Sequence, residues 1–134
     1  MKSVKQRILV VEDDVPILEA ISIKLKEAGY EVEQAVDGQI GLEYLQHRGP
    51  FHLILLDLRM PKGDGFKFLE DKAKDSTVSD VSVIVFTNLS QLEYIDRALA
   101  LGVKGYLIKA HHSIQGIVEE VKKCLQGEEC AIDR

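Results

Sequence analysis

Leu53-Ile54-Leu55-Leu56-Asp57-Leu58-Arg59-Met60-Pro61-Lys62-Gly63-Asp64-Gly65 is the stretch that decides the fold. Its first four residues are apolar without alternation, the pattern of a strand covered on both faces, as a central parallel strand is. The run stops at a carboxylate, so Asp57 stands at the strand's C-terminal edge. Pro61 lacks an amide donor, and Gly63 and Gly65 supply turn conformations, so the chain leaves the sheet within a few residues. In open α/β sheets that edge is where ligands bind.

The same grammar recurs on either side. Arg7 to Glu12 is an apolar run ended by acids, Val81 to Phe86 one ended by Thr87-Asn88, and Val103 to Ile108 one ended by Lys109. Tyr30 to Ala35 mixes Tyr30 and Val32 with Glu31, Glu33 and Gln34, so it reads as a half-exposed edge strand. Helical spacing fills the gaps. Asp13 or Asp14 caps a helix with Pro16 in its first turn and Ile17, Leu18, Ile21 and Leu25 on one face, closed by Gly29. A weaker helix spans about Gly38 to Gln46, a third Gly65 to Lys74, and a fifth Ser113 to Gln126. Ser90-Gln91-Leu92-Glu93 reads as a capping box that opens the fourth, which Gly102 ends. Five strands alternating with five helices specify an α/β, doubly wound parallel sheet with right-handed crossovers. The half-polar second strand belongs at an edge, which gives the flavodoxin-like order 2-1-3-4-5 and a switch point between strands one and three. Glu12 and Asp13 leave the sheet there, beside Asp57.

Composition narrows the class. A chain of 134 residues with 46% hydrophobic and 29% charged residues fits one globular domain, 1–134, with a core of about 7–125 and a polar tail over 127–134. No run approaches the roughly eighteen apolar residues that span a bilayer. The apolar run after the basic start Met1-Lys2-Ser3-Val4-Lys5-Gln6-Arg7 is too short for a signal peptide, so a cytoplasmic location is expected. Cys124 and Cys130 have no partners at metal spacing and read as two thiols. Net charge of −5 and a pI of 5.4 speak against nucleic-acid binding through this chain, and no membrane association is expected.

Three carboxylates at one strand edge repel one another unless a cation or proton sits among them. An all-oxygen set of few protein ligands, open to water, suits Mg²⁺. Lys109 adds a positive point charge and Thr87 a hydroxyl from the same edge. A carboxylate, a divalent cation, a lysine and a hydroxyl are the parts needed to take up a phosphoryl group, with the carboxylate as nucleophile. Each residue alone has an ordinary explanation: acids at a helix start, a strand-end hydroxyl, a core aromatic at Tyr106, a solvated lysine. Their joint placement is the signal.

The order Glu12-Asp13, Asp57, Thr87, Tyr106 and Lys109 resembles the receiver domain of two-component response regulators, over about Arg7 to Leu125. The resemblance implies that Asp57 is the phosphoacceptor and that Glu12, Asp13 and Asp57 hold Mg²⁺ with the backbone carbonyl of Arg59. It also implies that Lys109 contacts the phosphoryl oxygens, and that Thr87 and Tyr106 form a two-state switch around helix four, strand five and helix five. The implied partners are a histidine kinase or histidine phosphotransfer protein, a downstream protein, and a second copy in a phosphorylation-dependent homodimer. The only chemistry implied is the domain's own phosphoryl uptake and loss.

Three positions depart from the family pattern. Asn88 stands where a small residue usually follows the switch hydroxyl and is expected to narrow access to Asp57. Arg59 is expected to reach across the site towards Glu12 or a phosphoryl group. Ala110 replaces the usual proline after Lys109, and the Lys109–Ala110 bond is expected to be trans. Arg59 also stands where a haloacid dehalogenase-type phosphatase needs its second acid, and Glu12-Asp13-Asp14 would repel the phosphate of a flavodoxin-like nucleotide binder. A pseudo-receiver that binds partners without phosphorylation is the remaining alternative. Adjacent His111 and His112 do not face one site and are expected to be solvated.

Overall fold

The computed structural model describes residues 5–61 and 64–134. Five strands alternate with five α-helices: β1 Arg7–Val11, α1 Val15–Glu27, β2 Glu31–Ala35, α2 Gly38–His47, β3 Leu53–Leu56, α3 Gly65–Ala73, β4 Ser82–Thr87, α4 Leu92–Ala100, β5 Gly105–Ile108 and α5 Ile114–Leu125. The sheet is parallel, in the order β2-β1-β3-β4-β5. The turn assigned to Gly63 and the basic start Met1-Lys2-Ser3-Val4 lie outside the described residues.

The unbroken apolar run of β3 is explained by two cores. Leu53 and Leu55 join Ile8 and Val10 under α1 and α5, whereas Ile54 and Leu56 join Leu9 and Val11 under α2, α3 and α4. All four β3 side chains are fully buried, and each stabilises the fold by about 2 kcal/mol. In β2, by contrast, only Ala35 is buried, as an edge strand allows.

Register carries the strand ends to one place. Val11 pairs with Leu56 and Thr87 with Ile108, so Glu12, Asp57, Thr87 and Lys109 emerge side by side. Asp14 takes the cap of α1, its carboxylate accepting from the Ile17 amide at 3.3 Å. That leaves Asp13 free to face the sheet edge.

Two sequence expectations give way. The capping box does not form: Gln91 is the N-cap of α4 and has no side-chain cap bond, which puts Glu93 at the second helical position, one short of the place the box requires. The amide of Leu89 is engaged by Thr87 and its carbonyl by Tyr106, so the loop stays extended one residue further. The cysteines are not thiols: Cys124 and Cys130, with Cα atoms 5.0 Å apart, form a disulfide. Part of the polar tail lies along β5, with Ile132 bridging Tyr106.

Candidate functional site

Glu12, Asp13 and Asp57 bring carboxylate oxygens within 4.8 Å of one another. Glu12 and Asp57 are buried, while Asp13 is exposed at the mouth. Asp57 is fixed by its backbone, whose amide donates to the Val11 carbonyl at 3.0 Å, and its Oδ1 accepts from the Arg59 amide at 3.2 Å. Gly65 lets α3 begin against this strand end: a Cβ there would stand 2.6 Å from both the Asp57 carbonyl and the Leu58 Cα.

Lys109 Nζ lies 2.5 Å from Glu12 Oε1 and 3.2 Å from Asp57 Oδ2, and 4.9 Å from the centre of the Phe86 ring. Among the described residues it is the one cation paired with these acids. One lysine faces three carboxyl groups, and Glu12 Oε2 is buried with no hydrogen-bond partner. A buried, unpartnered carboxylate oxygen is costly. Burial, reinforced by the neighbouring Asp57 carboxylate, pushes Glu12 up to about 8 against the pull of Lys109. Burial draws Lys109 down, but its hydrogen bond to Glu12 and the charges of Asp57 and Glu12 outweigh that and hold it above its ordinary value. The donor set is hard, anionic and one charge-carrier short, so it fits a divalent cation.

Thr87 and Tyr106 meet on one residue, Leu89. The Leu89 amide donates to Thr87 Oγ1 at 3.4 Å, and the Tyr106 hydroxyl donates to the Leu89 carbonyl at 2.7 Å. Tyr106 is fully buried; burial, with the charge of Asp57 adding to it, pushes its phenol up to about 12. Thr87 makes no hydrogen bond to Asp57 in this arrangement.

The departures from the family pattern prove to be connected. The Lys109–Ala110 bond is trans, and the chain continues as a 3₁₀ turn over Lys109–His111. The Ala110 amide, a donor that proline would lack, is taken by Asn88 Oδ1 at 3.1 Å. Asn88 thus turns to the loop after β5. Arg59 is exposed, and the pairing with Glu12 expected of it is made by Lys109. His111 is exposed as expected, but His112 lies 2.6 Å from Asp133 Oδ2. The roles of Leu89, Phe86 and Asp133 were not found from sequence, because a backbone carbonyl, a ring beneath a lysine and a residue in the tail carry no local pattern.

Comparison with known proteins defines the class. A family model described as the response regulator receiver domain matches residues 8–122, and the chain belongs to that family. It is 39% identical over 103 residues to the DNA-binding dual master transcriptional regulator RpaA of Synechocystis sp. (strain ATCC 27184 / PCC 6803 / Kazusa), an overlap of 77% of this chain and 42% of that protein. The chain spans less than half the length of this curated relative. A CheY-like receiver domain protein from Methanospirillum hungatei superposes with a TM-score of 0.84 at 29% identity, covering 92% of this chain and 96% of that one. The phosphorylated cyanobacterial phytochrome response regulator RcpA gives 0.83 at 26% identity, covering 92% and 95%. This is therefore a receiver domain of two-component response regulators, a signalling domain of a kind that interacts with histidine kinases and downstream effectors. Among the described residues no helix is long and apolar enough to cross a membrane.

Proposed function

We propose that Asp57 accepts a phosphoryl group from a histidine kinase or histidine phosphotransfer protein, and that the change is passed through Thr87 and Tyr106 to a partner-binding surface. The observation that carries this reading is the unpartnered Glu12 Oε2 buried beside Asp57 and Lys109. Glu12, Asp13 and Asp57, with the Arg59 backbone carbonyl, would hold Mg²⁺, which when bound neutralises charge on phosphoryl oxygens. An Asp57 oxygen attacks phosphorus as the donor's phosphorus–nitrogen bond breaks, and Lys109 moves from carboxylates to the new phosphoryl oxygens. The phosphorylated state of the similar RcpA supports this chemistry.

Thr87 turns its hydroxyl towards the phosphoryl group, and Tyr106, already buried with its hydroxyl on the Leu89 carbonyl, follows into the space vacated, so one shift of the loop around Leu89 acts on both residues. The chain catalyses its own phosphoryl gain and loss and no further reaction. It acts in the cytoplasm as a single receiver domain over 1–134, without binding nucleic acid or membrane itself, and can pair with a second phosphorylated copy.

The test is an amide NMR titration with Mg²⁺ and then beryllofluoride, an acyl-phosphate mimic, with Asp57→Ala as control. Shifts at Asp57, Thr87 and Lys109 should extend to Tyr106 and α4 and vanish in the control. Metal binding with no beryllofluoride response would mark an interaction module that phosphorylation does not switch, and silence to both would sink the site.

A further inference from the structure

The lysine that faces Glu12 and Asp57 stands on a turn that burial does not hold. None of Lys109, Ala110 and His111 is buried, so their placement rests on hydrogen bonds. Within the turn the His112 amide donates to the Lys109 carbonyl at 3.3 Å. From outside it Asn88 Oδ1 accepts from the Ala110 amide at 3.1 Å, and among the described residues no other side chain bonds to the backbone of these three.

Register puts Asn88 within reach. Thr87 is the ladder partner of Ile108, so the next residue of each strand, Asn88 and Lys109, leaves the sheet beside the other. The Asn88 carboxamide then crosses to residue 110 and ties the loop after β4 to the loop after β5. It makes no hydrogen bond to Glu12, to Asp57 or to the Lys109 ammonium, so whatever it does at the site it does through the turn.

Lysine is a hard residue to aim. Its ammonium is a compact charge on a flexible four-carbon stem, and ordering that stem costs entropy. A charge that must meet phosphoryl oxygens therefore depends on where the stem begins. Ahead of Lys109 the ladder fixes Ile108, whose amide also donates to Asp133 Oδ2 at 2.9 Å. Beyond it the Asn88 bond secures the other side. We infer that Asn88 is a positioning residue: its carboxamide holds the Ala110 amide, fixes the turn, and so keeps Lys109 aimed at the phosphoryl oxygens of an acyl phosphate on Asp57. This rests on the phosphoacceptor reading given above. The bond lies between the paired strand ends and Leu89, so the loop shifts around Leu89 while Lys109 stays held.

The experiment measures beryllofluoride midpoints at saturating Mg²⁺, and backbone ¹⁵N order parameters at Lys109 and Ala110, in the full chain and its Asn88→Leu and Asn88→Ala variants. Asn88 is exposed, so neither variant threatens the core. Leucine keeps the bulk of asparagine and alanine does not, but both lack the acceptor. Both should weaken the midpoint by about five-fold and lower the two order parameters from the rigid range of about 0.85. On Lys109→Met, which removes the group being aimed, Asn88→Leu should change the midpoint by less than about two-fold.

An unchanged midpoint in Asn88→Leu overturns the inference, and a loss seen in Asn88→Ala alone would make bulk the cause. A loss that persists undiminished on Lys109→Met overturns it as well, because Asn88 would then act on the phosphoryl group by another route. No beryllofluoride response in the unaltered chain overturns the phosphoacceptor reading and the aiming of Lys109 with it. The order parameters still decide whether Asn88 fixes the turn, and unchanged values in Asn88→Leu overturn that.

Discussion

The two ends of the sheet hold similar numbers of charges and treat them differently. At the N-terminal end Arg7 lies 3.4 Å from Glu31 and 3.9 Å from Glu33, and Arg48 lies 2.5 Å from Glu33. Arg7 also donates to the carbonyls of Arg48 and Pro50, and the two guanidiniums stack over Phe51 and Tyr44. Two cations meet two anions, all at least partly exposed. At the C-terminal end three carboxylates meet one lysine, and a buried oxygen has no partner. A balanced cluster at the surface stabilises slightly and needs nothing further, whereas an unbalanced, buried one stores a cost that only a ligand removes. The shortfall, more than the number of acids, is what marks the functional end.

Lys109→Met tests that shortfall most severely. It leaves Glu12 and Asp57 buried with no cation, and the metal-free domain should lose about 3 kcal/mol in denaturant titration. Millimolar Mg²⁺ should recover part of the loss, because the cation fills the place the lysine had. A loss below about 1 kcal/mol, in the range of an exposed pair, would erase the contrast between the two ends.

The dependence on pH comes next. Glu12 is held at about 8 in the fold, against an ordinary value of 4.5. An acid raised in this way binds its proton more tightly folded than unfolded, so its effect on stability is neutral below about 4.5 and grows more unfavourable as pH rises towards 8. Metal-free stability should therefore fall across that window, by at most about 1.4 kcal/mol per pH unit from this one proton. The raised value of Lys109 acts only above the ordinary lysine range and leaves the window untouched. Glu12→Gln should flatten the fall, and so should saturating Mg²⁺ in the unaltered chain. A flat profile in the metal-free chain would mean that Glu12 is charged and compensated in the fold.

Much of this contrast was legible before any coordinates. Four apolar residues ending at Asp57 fix a central strand and an edge in one stroke, and the half-polar second strand fixes the order. Strand ends then bring Glu12, Asp13, Thr87 and Lys109 to Asp57 by topology alone. What could not be read depends on distance in space. The capping box at Ser90 is locally sound but yields to Leu89, whose amide is held by Thr87 and whose carbonyl is held by Tyr106, seventeen residues on. Asn88 and Ala110 each break the family pattern singly, and only their hydrogen bond shows one departure answering the other. Residues 130–133 are too few for a strand signal, and a separation of six between cysteines states nothing about pairing.

Glu33→Gln is the smallest expected effect and the one that gives the comparison its scale. Glu33 faces both Arg7 and Arg48, yet its side chain is 27% exposed and that of Arg48 50%. Water already screens these charges, and both cations keep other contacts: Arg7 its carbonyls and Glu31, Arg48 the Tyr44 ring. Removing the charge should cost about 0.5 kcal/mol or less, and half-molar salt should remove most of that difference. Beryllofluoride uptake should not change, since no element carries this cluster to Asp57 except β1, buried from Ile8 onward, and the buried strand β3. If Glu33→Gln instead cost as much as Lys109→Met, pairing geometry would outrank burial in this fold, and an unpartnered oxygen at the other end would lose its meaning as the sign of a site.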